Sequence, residues 1–258
     1  MRALIFALGL ALSPAAFAEE PDFVPGRPGA TETAISVPEG HLQIETEIAS
    51  YTHDEEDGDQ ANSTSVAATT FRYGLAHGLD AELIVQPYLR ESIESGGVKE
   101  TDSGFGDVTL RLRRTIAGQD GDGPSLGVIG FITLPTAEDG LGADDVEGGV
   151  ILAGGFDLSE KWNFAWTVGA ATISTGGDAH EGEYSGALTL GYAINDKWGA
   201  YGEFAASKSE SDDETAATFD LGATYLVNPV TQLDAGANVA ITDSADDVSV
   251  FVGWAHRF

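Results

Sequence analysis

Val248-Ser-Val-Phe-Val-Gly-Trp-Ala-His-Arg-Phe258 alternates side-chain character with a period of two. Successive side chains of a strand point to opposite faces, so Val248, Val250, Val252, Trp254 and Phe258 share one face. Ser249, Gly253, Ala255 and Arg257 share the other. A free strand edge is a liability, so this strand needs a partner. An amphipathic strand ending on an aromatic residue resembles those of Gram-negative outer-membrane β-barrels, in which that ending is the assembly signal read by the barrel-insertion machinery. Phe258 is the candidate for that signal.

The other end of the sequence fits export. Met1-Arg2 is a short positive region, Ala3 to Leu12 is apolar, and Ala16-Phe17-Ala18 fits a small-x-small cleavage pattern. Residues 1–18 are therefore expected to be a signal peptide, with the mature chain starting at Glu19. The apolar run is shorter than the roughly 20 residues of a spanning helix, and no other segment approaches that length. A membrane location would have to be reached with strands. The 258 residues contain no cysteine, which removes disulfides and thiolate sites from consideration. A formal charge of −30 with only 12 Lys and Arg argues against nucleic acid as a partner.

Period-two alternation recurs along the chain between turn signals, and 3.6-residue periodicity is nearly absent. The expected strands are 41–51, 65–75, 79–90, 105–116, 125–134, 149–158, 161–173, 184–194, 197–207, 216–227, 230–241 and 248–258. Their connections alternate. Short ones fall at 76–78, 119–123, 159–160, 195–196 and 228–229; long ones fall at 52–64, 91–104, 135–148, 174–183, 208–215 and 242–247. That alternation fits an all-β, transmembrane, antiparallel up-and-down barrel of about 12 strands with short periplasmic turns and longer external loops. Residues 40–258 form the barrel in this reading, after an N-terminal periplasmic segment, 19–39, that is a candidate plug. The strand at 248–258 must then pair with the strand at Leu42 to close the cylinder.

Apolar residues such as Leu79, Leu83, Leu110, Leu112, Leu221 and Leu233 are expected to face the lipid of the outer membrane. Their neighbours Glu45, Glu47, Asp80, Glu82, Arg90, Asp107, Arg111, Arg113, Glu203, Asp220, Asp234 and Arg257 are expected to line the lumen. Such charges form either a transverse field that aligns a solute or a sealed, ion-paired network. Alternation alone does not separate this barrel from a soluble β-protein with the faces exchanged. The strand at 125–134 is apolar on both faces and has no assignable orientation. Trp162, Trp198, Tyr73, Tyr192 and Trp254 fall near one rim and read as an interfacial girdle. Arg114 lies on the lipid face within reach of that rim.

Twenty-four of the chain's 42 acidic residues fall in the expected external loops. Such a rim attracts cations over a Debye length of about 8 to 10 Å, and it also serves solubility or a high-salt habitat. Asp54-Glu-Glu-Asp-Gly-Asp59 lacks EF-hand spacing, so no metal site is expected there. Barrel phospholipases need a serine activated by a histidine on a neighbouring strand. His41, His53, His77, His180 and His256 accompany no recognisable serine motif. Neither catalytic residues nor cofactor-binding residues are expected, and the chain is expected not to be an enzyme.

Pro25-Gly-Arg-Pro-Gly-Ala-Thr-Glu-Thr33, Val37-Pro-Glu-Gly-His-Leu-Gln-Ile-Glu45 and Gly104-Phe-Gly-Asp-Val-Thr-Leu-Arg-Leu-Arg-Arg114 resemble the opening of the transporter barrels named after the meta-pathway of phenol degradation. Leu134-Pro-Thr136, Val146-Glu-Gly-Gly-Val150, Thr231-Gln-Leu-Asp-Ala-Gly-Ala-Asn238, Val250-Phe-Val-Gly253 and Arg257-Phe258 extend the resemblance over nearly the whole expected mature chain. One departure is Pro25-Gly26, where that family usually has Thr-Asp before the Arg-Pro. The resemblance implies an outer-membrane channel for passive passage of a small-molecule solute, hydrophobic or aromatic compounds included. A lipid-hydrolysing barrel and a non-conducting structural or adhesive barrel are the alternatives.

Overall fold

The structure is a computed structural model that describes residues 23–56, 58–121, 123–176, 179–211 and 214–258. The expected signal peptide and the start at Glu19 lie outside the described residues. Fourteen β-segments follow in order: β1 (Leu42–Glu56), β2 (Asp59–Ala76), β3 (Leu79–Val85), β4 (Tyr88–Ser95), β5 (Val98–Gly104), β6 (Val108–Ala117) and β7 (Ser125–Leu134). Then come β8 (Glu147–Asp157), β9 (Trp162–Ser174), β10 (His180–Ala193), β11 (Trp198–Ser209), β12 (Ala216–Asn228), β13 (Thr231–Ala240) and β14 (Val248–Arg257).

Ladders between neighbouring strands are antiparallel, and β1 pairs with β2 on one flank and β14 on the other, so the sheet closes on itself. Gln43 faces Arg257 and His53 faces Val248 in the closing ladder. The cylinder has twelve strands because two of them are interrupted. Gln60–Val66 of β2 pairs with β4 and Thr69–Ala76 with β3, while β3 pairs with β6 and β4 with β5. β3–β4 therefore act as one long strand broken at Gln86-Pro87, and β5–β6 as another broken at residues 105–107. Pro87 has no amide proton to give a ladder. Across this break Gly106 N donates to Gln86 O at 2.9 Å.

Two expected loops are ladder instead. Within 52–64 the β1–β2 hairpin continues to the pair Glu56–Asp59, and within 91–104 β4 and β5 form a hairpin turning at Gly96-Gly97, both at positive φ. These extensions carry polar residues on both faces, so they lack the alternation that marks a strand with one face in lipid.

Polarity is distributed inside out. The largest fully buried side chains are Arg72, Arg113, Ile129, Gln43, Glu203, Asp80, Asp220 and Ser36, seven of the eight polar. Leu112, Val150, Leu188, Phe204, Leu221 and Val250 are among many exposed apolar side chains. A soluble β-protein buries its apolar face. This exterior is that of a barrel solvated by lipid. The strand at 125–134 also gains an orientation: Ile129 is fully buried and Gly127 abuts the chain inside the barrel, while Ile132 faces out.

Aromatic pairs band one rim. Trp162 packs on Tyr192 at 4.5 Å between centroids, Trp198 on Tyr225 at 4.7 Å, and His256 lies between Trp254 and Phe258. Phe258 N donates to Leu42 O at 2.8 Å, extending the closing ladder. Arg114 turns its guanidinium onto the carbonyls of His77 and Gly78 in the short turn at that rim.

Candidate functional site: the barrel lumen and the segment inside it

Residues 23–39 run inside the barrel and are bound to its wall on nearly every side. Their sequence is rich in Pro and Gly, so the segment forms no ladder of its own and its backbone amides need acceptors from the wall. Gly26 N donates to Glu45 Oε2 at 2.9 Å on β1, and Val37 N to Asp80 Oδ2 at 2.7 Å on β3. Ala30 N and Thr31 N donate to the two carboxylate oxygens of Glu203 on β11, at 2.6 and 3.0 Å. Glu32 N donates to Thr167 Oγ1 on β9 at 2.9 Å, and Ser36 N to Thr115 Oγ1 on β6. In the other direction Arg72 donates to Ile35 O, Thr115 to Ala34 O and Gln232 to Arg27 O. Glycine at two wall positions permits this closeness. A Cβ at Gly74 would collide with the Pro38 carbonyl, and one at Gly127 would lie 2.6 Å from Ala34 O.

The wall of β1, β2, β3 and β6 carries a compact ion-paired network. Arg72 reaches Glu45 at 3.0 Å, Asp80 at 2.9 Å and Glu82 at 3.6 Å. Arg113 reaches Glu82 at 2.8 Å and Glu32 at 2.9 Å, and also bonds Thr33 O; Arg111 bonds Glu32 and lies over the Phe131 ring. Burial by itself raises the pKa of the Glu32 carboxyl. The facing Arg111 and Arg113 charges, with their hydrogen bonds, outweigh it and bring the value down to about 2.

Across the lumen the wall from β8 to β12 is built mostly of small residues, among them Ala153, Thr167, Ala187, Ala205 and Thr218, with the buried acids Glu203 and Asp220 as exceptions. It leaves two spaces. A cavity of about 380 Å³ on the loop side is lined by Ala30, Thr167, Ala187, Ala205, Thr218 and Asn238 among others. A second, of about 680 Å³ on the short-turn side, is lined by Thr31, Thr189, Tyr201 and Thr224 among others. Between them stand Ala30 and Thr31, clamped on Glu203, to which Thr189 also donates.

Of the twelve residues expected in the lumen, Glu45, Glu47, Asp80, Glu82, Arg111, Arg113, Glu203, Asp220, Asp234 and Arg257 point inward. Glu47 and Asp234 both pair with Arg27, at 3.8 and 3.1 Å. Arg257 faces the ring of Phe23. Two residues depart from that expectation. Arg90 is exposed and Leu89 is buried, because the break at Gln86-Pro87 shifts the alternation by one. Asp107 sits in the second break and takes amide protons from Thr136, Ala137 and Ala143, tying down the β7–β8 loop. Arg72, Arg27 and Glu32 were not in the expected set. Arg72 carried a usable signal, since it alternates with the outward Phe71 and Tyr73.

The histidines have local partners. His41 contacts Glu39 O, His53 Asn62, His77 Asp120, His180 Val146 O, and His256 Thr231 Oγ1.

A family model described as "Putative MetA-pathway of phenol degradation" matches residues 25–258. The chain belongs to this family. No curated protein matches it in sequence. Among solved structures it resembles the COG4313 outer membrane channel from Pseudomonas putida F1, with TM-score 0.64, 17% identity and coverage of 90% of this chain and 99% of that one. The NanC porin gives TM-score 0.53 at 10% identity, over 83% of this chain and 98% of the other. The translocator domain of the autotransporter NalP from Neisseria meningitidis gives 0.55 at 12% identity, over 84% and 88%. At such identities the likeness concerns the fold, which this family member shares with barrels of differing roles.

Proposed function

We propose that this family member is an outer-membrane channel for passive passage of small compounds, hydrophobic or aromatic ones among them, and not an enzyme. The observation that carries the reading is a closed cylinder with a polar interior holding two cavities, with the Ala30–Thr31 stretch between them. Such a constriction opens when a short loop of backbone shifts, whereas the ion-paired wall cannot move cheaply. In this reading residues 1–18 direct export, 19–39 act as the plug that sets the bore, and 40–258 form the barrel. The charged residues facing the plug hold it in place, and Phe258 is the assembly signal for the insertion machinery. The channel and porin among the structural relatives, and the phenol-degradation name of the family, support the reading.

Planar-bilayer recording and liposome swelling with the folded chain test it. Discrete conductance, and flux of small neutral solutes, are expected; a folded sample giving neither sinks the channel. One observation favours a second reading, a sealed structural barrel, because the plug is bonded to strands all round the lumen. Deleting residues 23–36 separates them. A channel already conducts and gains conductance on deletion, while a sealed barrel conducts only after it. For Phe258, substitution by Ala is expected to leave the barrel fold intact but to lower its yield in the outer-membrane fraction.

A further inference from the structure

Beside the Ala30–Thr31 stretch that stands between the two cavities, the wall carries more acid than anchoring that stretch requires. Glu203 on β11 and Asp220 on β12 are directly opposite across their ladder, and each is 1% exposed. Like charges in that relation destabilise a sheet. Along the inner face of β12, Thr218 lines the upper cavity and Thr224 the lower, so Asp220 sits on the wall between them. On β13, Asn238 lines the upper cavity, and Asp234 lies two alternations below it.

These acids are not all satisfied by the protein. Glu203 accepts from Ala30 N, Thr31 N and Thr189, but Asp220 Oδ1 and Asp234 Oδ2 are buried without a hydrogen-bond partner, as are Asn238 Oδ1 and the Tyr201 hydroxyl beside them. Buried carboxylate oxygens left open are costly unless something donates to them or neutralises them. Arg27 is the guanidinium facing this patch, already engaged by Asp234 and Glu47. Among the described residues, Glu47, Glu203, Asp220 and Asp234 share this one guanidinium, which leaves an excess of acid. Upstream, the charged residue lining the loop-side cavity is Asp246.

We propose that Asp220 and Asp234, with Glu203, form a cation-selecting collar, so that the passage admits positively charged and neutral small solutes and rejects anions. This inference rests on the channel reading and names its solute class. A cation crossing from the upper to the lower cavity passes the open oxygens, which replace part of its hydration, while an anion meets an excess of carboxylate, the Arg27 guanidinium there being already paired with Asp234 and Glu47.

The test is the reversal potential of the full chain in a planar bilayer under a KCl gradient, with D220N, D234N and the double variant compared. These isosteric changes keep the shape of the wall, and heat-dependent gel mobility reports whether each variant is a folded barrel. Wild type is expected to favour K+ over Cl−, and to keep that preference at about 1 M salt, where exposed loop charges are screened within about 3 Å. In the double variant the reversal potential is expected to move towards zero with conductance retained. Conduction without cation preference, or a preference unchanged in the folded double variant, overturns the collar while leaving the channel standing. No conductance from folded wild type overturns the channel, and the collar with it.

Discussion

The β1–β6 wall and the β8–β12 wall face each other across one lumen and fill it by opposite means. The first packs guanidiniums and carboxylates into contact and binds the inner segment through Arg72, Arg111 and Arg113. The second is largely Ala, Gly and Thr; it grips the segment at a few points, Glu203 and Thr167 among them, and otherwise leaves the two cavities. The difference separates anchoring from passage. Buried ion pairs have discrete geometry and resist displacement, since removing one partner strands the other. A wall of small side chains sets the space available and tolerates change.

Removing a central cation from the charged wall should have the largest effect. Arg113→Ala strips Glu82 of its nearest guanidinium and Glu32 of one of its two. A loss of about 3 to 5 kcal/mol is expected, the usual penalty for breaking a buried ion-paired network by removing one partner. It is read as a lower urea midpoint and a smaller folded fraction. On the opposite wall Thr167→Ala removes one hydrogen bond, that from Glu32 N, and should cost about 0.5 to 1.5 kcal/mol. Equal losses at the two positions would erase the distinction.

Next in size is an effect on conductance. Ala187 and Ala205 line the upper cavity, and replacing either by Leu places three more carbons in it. Conductance is expected to fall clearly while the unfolding midpoint moves less than in Arg113→Ala. The reverse ordering would mean that the small-residue wall carries stability and the cavity carries nothing.

What the sequence revealed follows the same division. Val250, Val252 and Trp254 display their period because lipid on one face and a polar lumen on the other impose opposite demands on successive residues. The pairing of β14 with β1 follows once the strands alternate in direction around the cylinder. Where both faces are polar, as at His53–Glu56 and Glu94–Ser95, the demand disappears, and the sequence there looks like loop. At Arg90 the period carried through Pro87 points inward, but the ladder breaks there and the side chain is exposed. Arg27 and Glu32 belong to a segment without any repeat, so nothing local marks them as partners of Asp234 and Arg113 some 80 to 200 residues away. The cavities are set by what the wall residues lack, and a run such as Ala205-Ala-Ser207 looks the same whether it faces empty space or a neighbour.

A further expected effect concerns pH, and it tests whether the charged wall anchors the segment as ionised groups. Burial raises the Glu32 pKa, but Arg111 and Arg113 more than offset it and hold the folded value near 2, below the ordinary 4.5. A carboxyl with a lowered folded pKa contributes stability that is full above its unfolded pKa and is lost as pH falls through the folded one. The stability difference between wild type and Glu32→Gln, about 1.5 to 3 kcal/mol for hydrogen bonds to a charged group, should therefore be constant from pH 7 to about 5. It should shrink between about pH 5 and 2. Urea unfolding of the two proteins across that range provides the measurement. A difference already gone at pH 5 would mean that Glu32 sits in the lumen protonated, held by shape and neutral hydrogen bonds. The charged wall would then anchor the segment no more firmly than the small-residue wall opposite.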